Sequence, residues 1–305
     1  MTDRSTGYRP SAAARAFLAD PANRDPRGAS GFDMPTLRAE GRAQADAATP
    51  GITDKWGVTL SEIDVLGIPC LEIMPQEARA GVTHLYCFGG GFVVGGPHED
   101  LMLSAPLAAQ SRTRVVAPYY SLAPEQPWPN AVADCCRVAR ALASTGRLVI
   151  SGESAGGNLA LVATQDLMDR GRQPVALGLL SPAADLRDPW DGEEFADDPT
   201  LNAAFVEEVH AIYAPGQDMA DARISPVCGT FGPDWPPTMI TTGTRDRLLG
   251  PCARLARAIR AGGGTVDMRV WDGLWHVFEY YPEIPEADQS LAEIAAFLTG
   301  HLEGA

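Results

Sequence analysis

Positive charge is scarce in this chain. Its 305 residues carry 24 lysines and arginines against 39 acids, a net charge of −15, and Lys55 is the single lysine. Nucleic acid and anionic membrane both call for a basic face, so neither is an expected partner. The balance suits neutral or apolar small molecules. Long apolar runs are missing as well: nothing approaches the roughly 20 residues of a membrane span. Met1-Thr2-Asp3-Arg4 lacks the apolar centre of a secretory leader, so a cytoplasmic location is expected. The six cysteines, Cys70, Cys87, Cys135, Cys136, Cys228 and Cys252, show no CxxC spacing and read as reduced, mostly buried thiols. Histidine is also rare, which confines the search for a catalytic base to His84, His98, His210, His276 and His301.

Apolar content of 45% and charge of 21% are ordinary for a globular protein. The first 50 residues have helical spacing over Ala12–Leu18 and Met34–Ala48, around a Pro/Gly-rich piece at Asp20–Gly31. From Trp56 onward strand-like runs appear at 58–60, 63–66, 70–73, 83–87, 114–117, 147–150, 175–180, 238–241 and 267–270. Helical runs at 99–111, 130–144, 155–170, 246–262 and 286–302 lie between the later strands. That alternation implies right-handed βαβ crossovers and a largely parallel sheet. It breaks once. Between Pro182 and Pro236 lie roughly 50 residues with no clear strand, an acidic loop at Asp188–Asp198 and a helix at Leu201–Tyr213. An excursion of that length inside an alternating fold predicts a lid or a binding insertion. The acidic loop itself reads as a solvated face, or as an entrance that disfavours anionic acids.

The richest segment is Gly152-Glu153-Ser154-Ala155-Gly156. It follows the apolar run Leu148-Val149-Ile150 and opens onto Asn158–Ala163, so strand, sharp turn and helix meet at a G-x-S-x-G sequence. This is the context of a nucleophile elbow, in which the serine hydroxyl is lifted clear of the sheet. Acyl transfer also needs a base, a group that orients it, and donors for the oxyanion. His276, in the loop after strand 267–270, is the candidate base. Asp246, just past strand 238–241, is the candidate acid, which gives the order Ser, Asp, His along the chain. Asp272 competes with Asp246, but lies only four residues before His276. Gly89-Gly90-Gly91 follows strand 83–87, and the N–H groups of Gly90, Gly91 and Ala155 are the candidate oxyanion donors.

These motifs resemble the hormone-sensitive-lipase-type branch of the α/β-hydrolase esterases. The resemblance extends to Tyr120-Ser121-Leu122-Ala123-Pro124-Glu125, similar to the family's YRLAPE, and to Ser154-Ala155-Gly156-Gly157-Asn158-Leu159-Ala160. It implies an α/β-hydrolase fold with an eight-stranded, mostly parallel sheet flanked by helices and a helical cap. The expected division is cap helices at 1–50, a core of 51–185 and 227–305, and a cap insertion at 186–226. Phe88 stands where the family's HGGGF carries histidine. It is expected to leave the oxyanion loop intact and to alter the packing beneath it. Ser121 replaces an arginine, which removes one partner of an ion pair.

The expected reaction is ester hydrolysis through an acyl-enzyme, with no metal or organic cofactor. Lactone, carbamate or amide hydrolysis by the same triad stays open, as does a non-catalytic small-molecule binder on this fold. Phe92, Trp128, Phe205, Tyr213 and Trp275 are the candidate substrate contacts, and with Trp235 they suggest an apolar pocket for small or medium hydrophobic esters. Helix 286–302 and strand 267–271 are candidate faces for a homodimer.

Overall fold

A computed structural model describes residues 9–24, 33–187 and 196–304. Most of the Pro/Gly-rich piece and of the acidic loop therefore lies outside the described residues. Eight strands form one sheet in the order β1-β2-β4-β3-β5-β6-β7-β8. They are β1 (Val58–Val65), β2 (Ile68–Pro75), β3 (Val82–Cys87), β4 (Arg114–Pro118), β5 (Arg147–Glu153), β6 (Leu177–Leu180), β7 (Thr238–Gly243) and β8 (Val266–Trp271). β1 and β2 make an antiparallel hairpin, β2 pairs antiparallel with β4, and every later pairing is parallel. Central strands β3 and β6 are buried at every position, because helices cover both faces of the parallel part.

The covering helices are α3 (Leu101–Ser111), α4 (Asn130–Thr145), α5 (Ser154–Asp169), α7 (Leu249–Ala261) and α8 (Pro285–Glu303). α3 packs on α8, and α4 on α5. Three further helices, α1 (Ala12–Ala19), α2 (Met34–Trp56) and α6 (Ala203–Tyr213), stand outside this alternation. Among the described residues no helix is long and apolar enough to cross a membrane.

α2 runs well past the expected stop at Ala48. Pro50 lacks the N–H that would bond the carbonyl four residues back, and proline inside a helix normally costs about 3 kcal/mol. Here the helix continues to Gly57, whose φ of 60° caps it in the left-handed conformation. The buried residues Met34, Ala45 and Ile52 anchor it along its length, and tertiary packing overrides the local break.

Candidate active site

β5 ends at Glu153 and α5 begins at Ser154, so the serine sits on the turn itself. Its φ of 50° is left-handed, a conformation that costs a non-glycine residue about 1–2 kcal/mol and persists only where packing enforces it. The enforcement is visible at Gly156. A Cβ there would stand 2.0 Å from the Cys87 carbonyl oxygen and 2.2 Å from that of Phe88. The first turn of α5 is thus pressed against the end of β3, where only hydrogen fits. Ser154 is half-buried and faces a cavity of about 320 Å³ that Gly89, Gly90, Gly91, Phe205 and His276 also line.

The loops after β7 and β8 meet at the same edge, the carboxyl end of the parallel strands, where open α/β sheets place their sites. His276 Nδ1 lies 3.1 Å from Asp246 Oδ1. An ionised carboxylate only accepts, so Nδ1 carries the proton and Nε2 is left to act as base. Asp246 also accepts from the Thr242 hydroxyl at 2.7 Å and the Leu248 N–H at 2.8 Å. Burial works against its charge. His276 and the hydroxyls of Ser181 and Thr242 outweigh that, and hold the carboxyl below its ordinary range. Burial likewise opposes the charged imidazole, but the Asp246 carboxylate, with Asp198 and Glu279, holds His276 above its ordinary value. The rival acid, Asp272, is exposed and accepts from the Thr244 hydroxyl at 3.3 Å.

The glycine loop depends on backbone conformations that glycine permits. Gly90 has φ 97°, and a Cβ there would lie 2.2 Å from the Val94 carbonyl oxygen. Beneath the loop, the Phe88 ring is buried and stacks on Tyr120, centroids 4.0 Å apart and planes within 10°. The Tyr120 hydroxyl donates to the Phe88 carbonyl at 2.8 Å and reaches that of Gly89 at 3.3 Å. Next to it, Ser121 donates its N–H and its hydroxyl to Asp134 at 3.0 and 2.6 Å. A pair of neutral donors thus occupies the carboxylate, and no ion pair is left broken.

Two buried carboxyls, Asp100 and Glu153, line the cavity behind the loop, and neither carries a local sequence signal. Asp100 accepts from the hydroxyls of Tyr86 and Tyr280. Burial pushes its pKa up to about 7, and burial with the charge of Asp100 raises Glu153 as well. Arg38 of α2 was also unforeseen. It donates to the Val93 carbonyl at 2.8 Å, to that of Ala123 at 2.7 Å, and to Glu125 at 2.9 and 3.0 Å. One guanidinium thereby ties α2 to the glycine loop and to the Tyr120–Glu125 segment. Among the described residues no group of His, Cys, Asp and Glu is arranged to hold a metal ion.

Of the five aromatic residues expected to contact substrate, Phe205 lines the cavity. The other four are not part of its lining. Phe92 and Tyr213 stack on each other at 3.7 Å. Trp128 lies under the Arg223 guanidinium, 5.0 Å from its ring centre. Trp275, directly before the candidate base, is fully buried and stacks on Phe17 of α1 at 4.3 Å. A large ring stabilises most where it is removed from water completely, as Phe92, Tyr213 and Trp275 are, while Trp128 is half-buried. Leu37, Arg38 and Gly41 of α2, and Thr200 and Leu201 before α6, also line the cavity.

The chain belongs to the α/β-hydrolase family, whose sequence pattern matches residues 84–280, and within it to the hormone-sensitive-lipase-like esterases. It is similar to the carboxylesterase NlhH of Mycobacterium tuberculosis, 31% identical over 255 residues that cover 77% of this chain and 73% of that one. It is also similar to an acetyl-hydrolase of Streptomyces hygroscopicus, 30% identical over 252 residues, 79% of this chain and 83% of that one. A hormone-sensitive lipase from a metagenome library superposes with a TM-score of 0.85 at 28% identity, covering 97% of this chain and 100% of the other.

Proposed function

We propose that this carboxylic ester hydrolase is a serine esterase that cleaves small to medium hydrophobic esters through an acyl-enzyme. The observation that carries the reading is one cavity onto which both Ser154 and His276 open, with His276 Nδ1 3.1 Å from Asp246. The Ser154 hydroxyl attacks the ester carbonyl carbon, and its proton passes to His276 Nε2. The N–H groups of Gly90, Gly91 and Ala155 receive the oxyanion. Each such donor is worth about 3 kcal/mol of barrier. His276 then hands the proton to the departing alcohol oxygen. In the second half it takes a proton from water, the resulting hydroxide attacks the acyl carbon, and Ser154 recovers its hydroxyl. Asp246 keeps the imidazole in the required tautomer throughout.

On the same reading, the described parts of 1–50 and 186–226 cap the core formed by 51–185 and 227–304. A cavity of about 320 Å³ is at the small end for organic ligands, which favours short acyl chains. The test is hydrolysis of p-nitrophenyl esters from acetate to long acyl chains, by wild type and Ser154→Ala. We expect turnover that peaks at short chains and falls at least about 10⁴-fold in the variant. Equal rates from the two proteins would remove Ser154 from the mechanism.

A further inference from the structure

The acidic loop was expected to be a solvated face, yet its last residue turns inward. Asp198 is 9% exposed and contacts the loops of both the candidate base and the candidate acid. Its Oδ2 accepts from the backbone N–H of Arg247 at 3.1 Å and of His276 at 3.2 Å. Its Oδ1 accepts from the N–H of Thr200 at 2.9 Å, the N–H of Leu201 at 3.1 Å and the Thr200 hydroxyl at 3.1 Å. The Thr200 hydroxyl also lies 3.3 Å from the carbonyl of His276. One turn of the insertion thus grips the His276 peptide groups at both ends. It binds as well the residue that follows Asp246, whose loop comes from a different strand.

The grip falls where the backbone needs it. Val277, directly after His276, has φ 45°. A β-branched residue in that region is a genuine outlier, held there only by its surroundings. Its N–H donates to the Ser181 hydroxyl at 3.3 Å, and Asp198 and Thr200 hold the residue before it. Burial and the charge of Asp246 raise the Asp198 pKa, but four backbone N–H donors on its two oxygens, with the Thr200 hydroxyl shared between Asp198 and the His276 carbonyl, define an acceptor with no proton of its own.

We propose that Asp198 is a positioning residue for the catalytic base: its carboxylate locks the His276 and Asp246 loops together and adds a second negative charge beside the imidazolium. The inference rests on the reading of Ser154, His276 and Asp246 as the catalytic groups. Asp198 does not line the cavity, so its loss is expected to act on kcat while KM stays put. The charged and titratable groups around the imidazole are Asp246, Asp198 and Glu279, all negative or acidic, with Arg247 and the Arg245–Asp197 pair beyond them.

The sign follows directly. His276 works as a neutral base, so activity is lost as pH falls through its pKa. Removing a nearby negative charge lowers that pKa and moves the acid limb to lower pH. A residue that only supports the fold would lower the rate and leave the limb in place.

The experiment measures kcat, KM and the pH profile of p-nitrophenyl acetate hydrolysis for wild type, Asp198→Asn and Asp198→Glu. Each is paired with labelling of Ser154 by a fluorophosphonate. For Asp198→Asn we expect kcat down about tenfold, as for a small misplacement of a catalytic group, KM within twofold, and the acid limb shifted down. For Asp198→Glu, which keeps the charge, we expect a lower kcat with the limb near its wild-type position. An unmoved limb in Asp198→Asn, or an unchanged kcat, overturns the proposal. Should Asp198→Asn fail to fold, Thr200→Val carries the test, because it removes one donor to Asp198 and the bond to the His276 carbonyl. It is expected to lower kcat about threefold, and an unchanged kcat overturns the proposal. If wild type neither hydrolyses the ester nor takes the label, the catalytic reading itself falls. If wild type does both and the limb stays put in Asp198→Asn, only the role of Asp198 falls.

Discussion

The two halves of the candidate site are built by different means. On the oxyanion side two short segments meet: Gly90, Gly91 and Ser154 adopt left-handed backbone, and at Gly90 and Gly156 backbone carbonyls leave no room for a side chain. On the acid–base side, at Asp246 and His276, the geometry is assembled from afar. The His276 loop is held by Asp198 across 78 residues, by Ser181 across 96, and by Phe17 stacked on Trp275. The first half is a property of two short motifs and the strand pair that joins them, the second a property of the whole fold. Damage to the first should therefore be abrupt and confined, while damage to the second should be graded with distance from the imidazole.

Four substitutions test that contrast. The largest effect is expected from Asp246→Asn, which leaves the shape but reverses the tautomer preference of His276. A loss of about 10⁴-fold in kcat is expected, with the acid limb of the residual activity at lower pH, since the carboxylate holds His276 above its ordinary 6.5. Next comes Gly90→Ala, whose methyl would collide with the Val94 carbonyl. It should cost about 10²–10³-fold in kcat while thermal stability of the core changes little. A broad loss of stability would show that the loop is not an independent unit. Tyr120→Phe keeps the stack on Phe88 and removes the hydroxyl that reaches two loop carbonyls. A loss of about 1 kcal/mol in unfolding free energy and a few-fold drop in kcat are expected from denaturation and steady-state kinetics. The smallest effect belongs to Arg24→Ala, which breaks an ion pair to Asp197 whose partners are both about half exposed. Exposed pairs contribute about 0–1 kcal/mol, so kcat should stay within twofold. A tenfold loss would mean that the Arg24–Asp197 pair matters as much as Asp198.

The same contrast decides what could be read from the sequence. The strands, the helices and the elbow were legible because each is written in adjacent residues: an apolar run, a turn residue, a periodic stripe. The order Ser154, Asp246, His276 was legible because parallel strands deliver their carboxyl ends to one edge. Asp198 was not, since an aspartate in an acidic run looks solvated until its long-range donors are known. Glu153, Asp100 and Arg38 were hidden for the same reason. Trp275 and Phe92 show the converse error. Aromatic residues next to site motifs suggested a binding wall, but burial rewards a large ring more behind the wall than on it. α2 passed its expected stop because packing at Ile52 extends a helix that local sequence would end at Pro50.

The close approach at Gly156 has a consequence for how the protein becomes active. Ser154 takes its left-handed conformation only when the first turn of α5 is pressed on the carbonyls of Cys87 and Phe88, and those positions exist once β3 and β5 have paired. An unfolded chain has an ordinary serine at this position. On the proposed mechanism the hydroxyl turns nucleophilic once this turn and the His276 loop are both in place, so the rate at which Ser154 becomes open to covalent labelling during refolding is a clock for assembly of the two halves together.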